Sequence, residues 1–332
     1  IRAAERLPGP RLLTFAVATV AITIPMHAAE WIDRPERVGQ IRLDLVTGAA
    51  APLLFIWAAI ALNNVALRSL RRLEPALDPA VATPEAIAPD LLRTPRAYAL
   101  IALVVGVVAG VTSVLESPEN WGVDAAHPYG YGAAIAVSVV TDVILLSLLA
   151  HVIHQLRVVS RVHRDAVRID VFQLEPLYAF SSLTAWTGLV ILALLFGLIG
   201  ALSLTIGRFL LQSSTDIAMT AVLFAVAIAC FVVPLLGLHG RIVDEKRERQ
   251  ATANAVLAGV VAEAAERSRA GDFDGLARLK DAALTAESAV SSIQRIPTWP
   301  WRRETLRGFS SAVILPIVLW LLFQGLTRVL PS

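Results

Sequence analysis

Asp142 stands near the middle of an apolar run from Gly132 to Ile153, and an ionised side chain at that depth of a membrane helix costs roughly 2.5–3.5 kcal/mol on insertion scales. Two roles suit such a residue. It is either a structural carboxyl, protonated and hydrogen-bonded to Thr141 or to another span, or the centre of a proton or cation relay. Downstream, Arg157, Arg161, Arg164 and Arg168 recur at intervals of 4, 3 and 4, which puts four guanidinium groups on one helical face. That stripe suits plain solvation, and it also suits anionic lipid headgroups at a membrane surface. His151 and His154 form an i, i+3 pair and His239 is expected on the same side, a set that raises metal or haem ligation. Histidines at helix ends meet water and headgroups more readily, so no metal and no other cofactor is expected. The sequence contains no HExxH, GxSxG, P-loop or GxGxxG pattern, so the standard protease, hydrolase and nucleotide signatures are missing. Its two lysines, Lys246 and Lys280, fall outside every predicted span, which excludes a retinal Schiff base in the last one. No catalytic residue is assigned.

The elements that must position these groups follow from composition. Of 332 residues, 56% are hydrophobic and 17% charged, against roughly 25% charged in soluble domains. The sequence therefore predicts an all-α, polytopic membrane helical bundle. Seven apolar runs are long enough to cross a hydrocarbon core of roughly 30 Å: Leu12–Ala29, Val46–Val65, Ala97–Leu115, Gly132–Ile153, Ala179–Gly207, Ile217–Leu238 and Phe309–Thr327. With the N-terminus cytoplasmic and the C-terminus outside, 24 of the 29 Lys and Arg residues lie on the inner side, as the positive-inside rule requires of a cell-membrane protein. The first outer loop, with Arg34, Arg37 and Arg42, is the one awkward count, and a six-span arrangement is its alternative. The net charge of +2 is thus a matter of topology, and no nucleic-acid partner is implied. The single Cys230 admits no intramolecular disulfide.

Outside the spans, three segments stand out. Glu74 to Pro95 carries five prolines, a spacing that excludes a continuous helix and predicts an extended, mobile linker. The Arg-striped segment predicts an amphipathic helix continuing from span four, with Val159, Val162, Ala166 and Ile169 on the opposite face. The largest segment, 241–301, separates a six-span domain (1–240) from the last span and C-terminus (302–332). It begins with DEKRER and places Ala253, Leu257, Val260 and Ala264, then Leu276, Leu279, Ala283, Ala286, Val290 and Ile293, at coiled-coil spacing. This predicts a cytoplasmic helical hairpin, with Gly271 ending its first helix and Asp272 capping its second. Trp299 and Trp301 then anchor the chain at the membrane interface. Gly106 and Gly110, and Ala193, Gly197 and Ala201, have the small-xxx-small spacing of close helix packing.

The stretch Ile296 to Arg307, together with His154 to Phe180, resembles uncharacterised prokaryotic multi-span integral membrane proteins. The resemblance covers about the C-terminal half and implies membrane location without any activity. The residues themselves favour a non-enzymatic sensing or scaffolding module acting through its cytoplasmic helices. Its partners would be the bilayer, including anionic lipids, and either a second copy or a cytoplasmic protein. The alternative is a small-ion or small-solute transporter or channel with Asp142 in the pathway.

Overall fold

A computed structural model describes residues 11–116, 118–121, 123–206, 214–272 and 275–329, the side chains of 11, 12, 44, 119, 120, 195, 198–220, 222, 223, 316, 317 and 319–329 lying outside the description. Helices account for nearly all of it, and no strand longer than a single bridge occurs among the described residues. They are α1 (Arg11–Asp33), α2 (Leu43–Leu73), α3 (Pro84–Leu92), α4 (Arg96–Glu116), α5 (Pro128–Asp165), α6 (Ala179–Ile206), α7 (Ser214–Ala270), α8 (Leu276–Gln294) and α9 (Arg303–Val329).

Six described stretches are long and apolar enough to cross a bilayer: Leu13–Asp33, Leu45–Ala76, Pro84–Glu116, Pro128–Asp165, Pro176–Leu194 and Phe224–Ala270. Each overlaps one of the first six predicted spans, with ends that differ by up to about thirty residues. The seventh, Phe309–Thr327, falls on α9, where most of its side chains lie outside the described residues.

The packing of α4 carries the membrane character most directly. Its buried residues are Ala102, Gly106, Gly110 and Val114, every fourth position. Leu100, Ile101, Leu103, Val104, Val105 and Val108 are exposed. A helix in water turns its large apolar residues inward; this one turns its small residues toward the neighbour, as helices do where lipid supplies the apolar surroundings. The neighbour is α5. A Cβ built on Gly106 would lie 2.6 Å from the Cα of Val143, and one on Gly110 would lie 2.5 Å from the Cα of Val139. The glycine pair is therefore an intramolecular seam. In α6, by contrast, Ala193 and Gly197 are exposed, and the side chain of Ala201 lies outside the described residues.

The proline-rich stretch is built structure, contrary to the linker the sequence suggests. Glu74–Ala76 forms a 3-10 turn, Leu77 bridges to Val167, and Pro84 opens α3. Proline at a helix start loses nothing, because its missing N–H belongs to the first turn. Ile87 and Leu91, four apart, then join a buried cluster that includes Leu73, Val159, Leu177, Phe180 and Leu238.

The Arg stripe is also shorter than its spacing indicates. Helix α5 stops at Asp165, so Arg168 lies beyond it, beside the bridge, paired with Asp78 at 2.8 Å. The cause sits on α7: the Arg241 guanidinium donates to the carbonyls of His163, Arg164 and Val167, filling bonds that another helical turn would have supplied. The backbone N–H of Ala80, and after it Arg168, hold the Asp78 carboxyl below the usual aspartate range. Because this pKa is lowered on folding, the bridge is expected to persist through the ordinary aspartate range and open only as pH falls through the lowered value. A carboxyl NMR titration, with Asp78→Asn for assignment, checks this; an ordinary midpoint refutes it.

Helix α7 runs unbroken from the apolar sixth span through the charged cluster to Ala270, so the predicted domain boundary at 240 falls inside one helix. It ends with a Schellman arrangement. Gly271, at φ +72°, follows the last helical residue, Asp272 N–H reaches Arg267 O at 3.0 Å, and Gly271 N–H reaches Ser268 O at 3.3 Å. Asp272 does not cap the next helix. The N-cap of α8 is Gly275, without a side-chain bond. Helix α8 returns antiparallel alongside α7, and Lys246 Nζ closes the far end by donating to the carbonyls of Gln294 and Ile296, each at 2.8 Å.

Candidate functional site

The groups singled out in the sequence separate in space. Asp142 is half-buried and has no hydrogen-bond or ion-pair partner among the described residues; Thr141 Oγ1, its anticipated partner, is buried and unpartnered. His151 and His154 diverge. His151 turns inward, His154 Nε2 donates outward to Asp90 O at 3.0 Å, and no group of three or more His, Cys, Asp or Glu side chains among the described residues is arranged to hold a metal ion. Arg157 donates to the Tyr98 hydroxyl and lies 5.5 Å over its ring. Arg161 and Arg164 are exposed and without an ion-pair partner among the described residues.

Around His151 the bundle holds a buried polar network that the sequence does not announce, with Gln155 Oε1 left without a hydrogen-bond partner among the described residues. His151 is 2% exposed, Gln155 fully buried and Asn63 5% exposed. His151 Nε2 meets Asn63 Oδ1 at 2.7 Å and His151 Nδ1 meets Thr94 Oγ1 at 2.9 Å. Gln155 Nε2 donates to the same Asn63 oxygen and to Leu91 O. Asn63 Oδ1 can only accept, so His151 carries a proton on Nε2 and donates it there. Both ring nitrogens are engaged. This network ties α2, α5, α3 and Thr94, between α3 and α4, together; it offers no free nucleophile.

The second constellation gathers at the opposite end of the bundle. Glu30, 7% exposed at the end of α1, faces three guanidinium groups: Arg42 at 2.7 Å, Arg37 at 2.9 Å and Arg34 at 3.9 Å. Arg34 also pairs with Asp124 at 2.8 Å, and Arg42 reaches Trp121 O. A hydrogen bond from His127, with the Ala126 N–H and Arg34 adding to it, holds the Asp124 carboxyl below its usual range. Asp33 accepts the N–H of Gly130 at the start of α5. His27 completes the set: Nδ1 donates to Thr23 O and Nε2 accepts the Arg42 N–H, each at 3.0 Å, which fixes a neutral ring. These groups enclose a cavity of about 20 Å³ beside Met26 and Val123, room for about one water. The arginines between α1 and α2 are thus matched by acids from α1 and from the loop before α5.

A third feature joins the chain after α8 to α7. His239, Trp299, Trp301, Phe231 and Phe309 stack in one column, with successive centroid distances of 3.9, 4.6, 5.0 and 4.1 Å. His239 Nδ1 donates to Thr298 O at 3.0 Å. Both tryptophans predicted as interface anchors thus pack on α7. The signal for this was present in the sequence only as aromatic residues on separate segments.

Comparison of this chain with family models, with curated proteins and with solved structures finds no match.

Proposed function

We propose that this is a non-enzymatic membrane module in which a change in the bundle is transmitted to a cytoplasmic helical arm, made of the second half of α7 with α8. The carrying observation is that α7 is one 57-residue helix, about 85 Å long at 1.5 Å per residue, whose first half packs in the bundle and whose second half is the arm. Pro234 interrupts the bonding within the bundle-packed half, and downstream of it the helix runs on without another proline, so a tilt of the buried Leu235–Ile242 turns is carried to the arm as by a lever. On this reading the chain has seven spans, with its N-terminus cytoplasmic and its C-terminus outside the cell. Arg161 and Arg164 rest at anionic headgroups, and the arm meets a second copy or a cytoplasmic protein through Val256, Val261 and Leu284, all more than half exposed. The transport alternative has less support, because Asp142 lines none of the three described cavities.

The test is a spin-label distance between Ala262→Cys on the arm and Ala97→Cys at the start of α4, in a Cys230→Ser background, across bilayers of increasing acyl length. The wild-type helix is expected to shift the distance by on the order of 3 Å or more between thin and thick bilayers. Gln250→Pro, which removes one helical hydrogen bond and kinks α7, is expected to abolish the shift. A distance that ignores the bilayer in the unbroken helix overturns the reading.

A further inference from the structure

Where α2 ends and α6 and α9 begin, a crevice of about 540 Å³ is lined by Arg72, Pro75, Glu175, Tyr178, Arg302 and Glu304. It continues into a narrower cleft of about 180 Å³ between α6 and α9, walled by Trp186, Leu189 and Phe309; Ser182, Glu304 and Thr305 border both. From Ser182 to Leu189 the cleft descends about 10 Å along α6, away from the helix ends and into the apolar segment. Trp186 remains 52% exposed along it. A polar mouth at the helix ends, opening into an apolar slot that faces outward, has the form of a phospholipid.

The charges specify which one. Arg302 and Glu175 are paired with each other. Arg72 and Glu304 are exposed and have no ion-pair or hydrogen-bond partner among the described residues. The crevice thus presents one uncommitted cation and one uncommitted anion, with no net charge over its four ionised groups. A guanidinium binds a phosphate by charge-assisted hydrogen bonds, and a carboxylate accepts the N–H groups of a primary ammonium. An anionic headgroup would leave Glu304 repelling it, and a quaternary ammonium has no N–H to give.

We propose that this crevice and cleft bind one zwitterionic phospholipid of the phosphatidylethanolamine class, its phosphate at Arg72, its ammonium at Glu304 and an acyl chain along Trp186 and Leu189. The proposal rests on the membrane embedding argued above and is independent of the arm.

Native mass spectrometry of the full chain in detergent, with equimolar phosphatidylethanolamine, phosphatidylcholine and phosphatidylglycerol of the same acyl chains, tests it. The wild-type protein is expected to retain phosphatidylethanolamine about tenfold over either competitor. Arg72→Gln is expected to lose retention of all three, and Glu304→Gln to move the preference to phosphatidylglycerol by leaving the crevice positive. Soluble glycerophosphoethanolamine is expected not to displace the lipid. Equal retention of the three lipids, a preference untouched by both substitutions, or displacement by the soluble headgroup overturns the proposal. If the lipid preference holds while the spin-label distance stays fixed, the lever fails and this site stands; the reverse pair of results removes the site alone.

Discussion

Glu30→Gln is expected to lower the unfolding free energy of this protein by about 2–3 kcal/mol, a little under the range for breaking a fully buried ion pair. The carboxylate is the shared partner of three guanidinium groups, with Arg42 at 2.7 Å and Arg37 at 2.9 Å. Its own side chain is 9% exposed, and those of Arg34 and Arg42 are 13% and 20% exposed. Neutralising it leaves clustered positive charge that water reaches poorly, so repulsion among the arginines adds to the lost attraction. Arg37→Gln serves as the contrast. Its side chain is 40% exposed, solvent screens the pair, and removal should cost less than about 1 kcal/mol. Thermal unfolding in one detergent, read for both variants, decides the matter: equal small losses would mean that the cluster is solvated and does not hold α1 to α2.

The double variant Gly106→Ala, Gly110→Ala is expected to be destabilised by about 3 kcal/mol or more, on the scale of overpacking at two sites. The new methyl at 110 would sit 2.5 Å from the Cα and 2.6 Å from the N of Val139, and the one at 106 would sit 2.6 Å from the Cα of Val143. These are backbone atoms of α5, so no side-chain rotation relieves the overlap and α4 must move away along its whole contact row. Gly237→Ala on α7, where a Cβ meets nothing within 4 Å, should be neutral or stabilising by up to about 1 kcal/mol through helix propensity. Opposite signs for the two substitutions in the same unfolding assay are the expected result; similar losses at both would show that α4 and α5 do not pack through this seam.

Much of the architecture was legible because membrane helices answer to one-dimensional rules. An apolar run of sufficient length must satisfy its backbone within itself, so each of the first six predicted runs overlaps a long apolar helix. The Gly106–Gly110 spacing pointed correctly to close packing, and Gly271 to the end of α7. The errors share a cause. Five prolines between Glu74 and Pro95 looked like a linker, yet Pro84 starts a helix whose Ile87 and Leu91 find a core that only the neighbouring helices supply. Arg168 looked helical by spacing, and Asp272 looked like a cap. In both cases a group distant in sequence or a backbone turn took the bonds first: Arg241 at the end of α5, and the αL geometry of Gly271 at the end of α7.

Composition and the length of the apolar runs determined by themselves that this chain is a bundle of long apolar helices, because the cost of exposing backbone and apolar surface is paid residue by residue along the sequence. Which polar groups meet was decided only by the tertiary structure. Glu30 with three arginines, His151 with Asn63 and Thr94, the aromatic column from His239 to Phe309, and the crevice between Arg72 and Glu304 all join residues far apart in the chain. Hydrogen bonds, ion pairs and ring stacking act over a few ångströms, and only the packed helices set those distances.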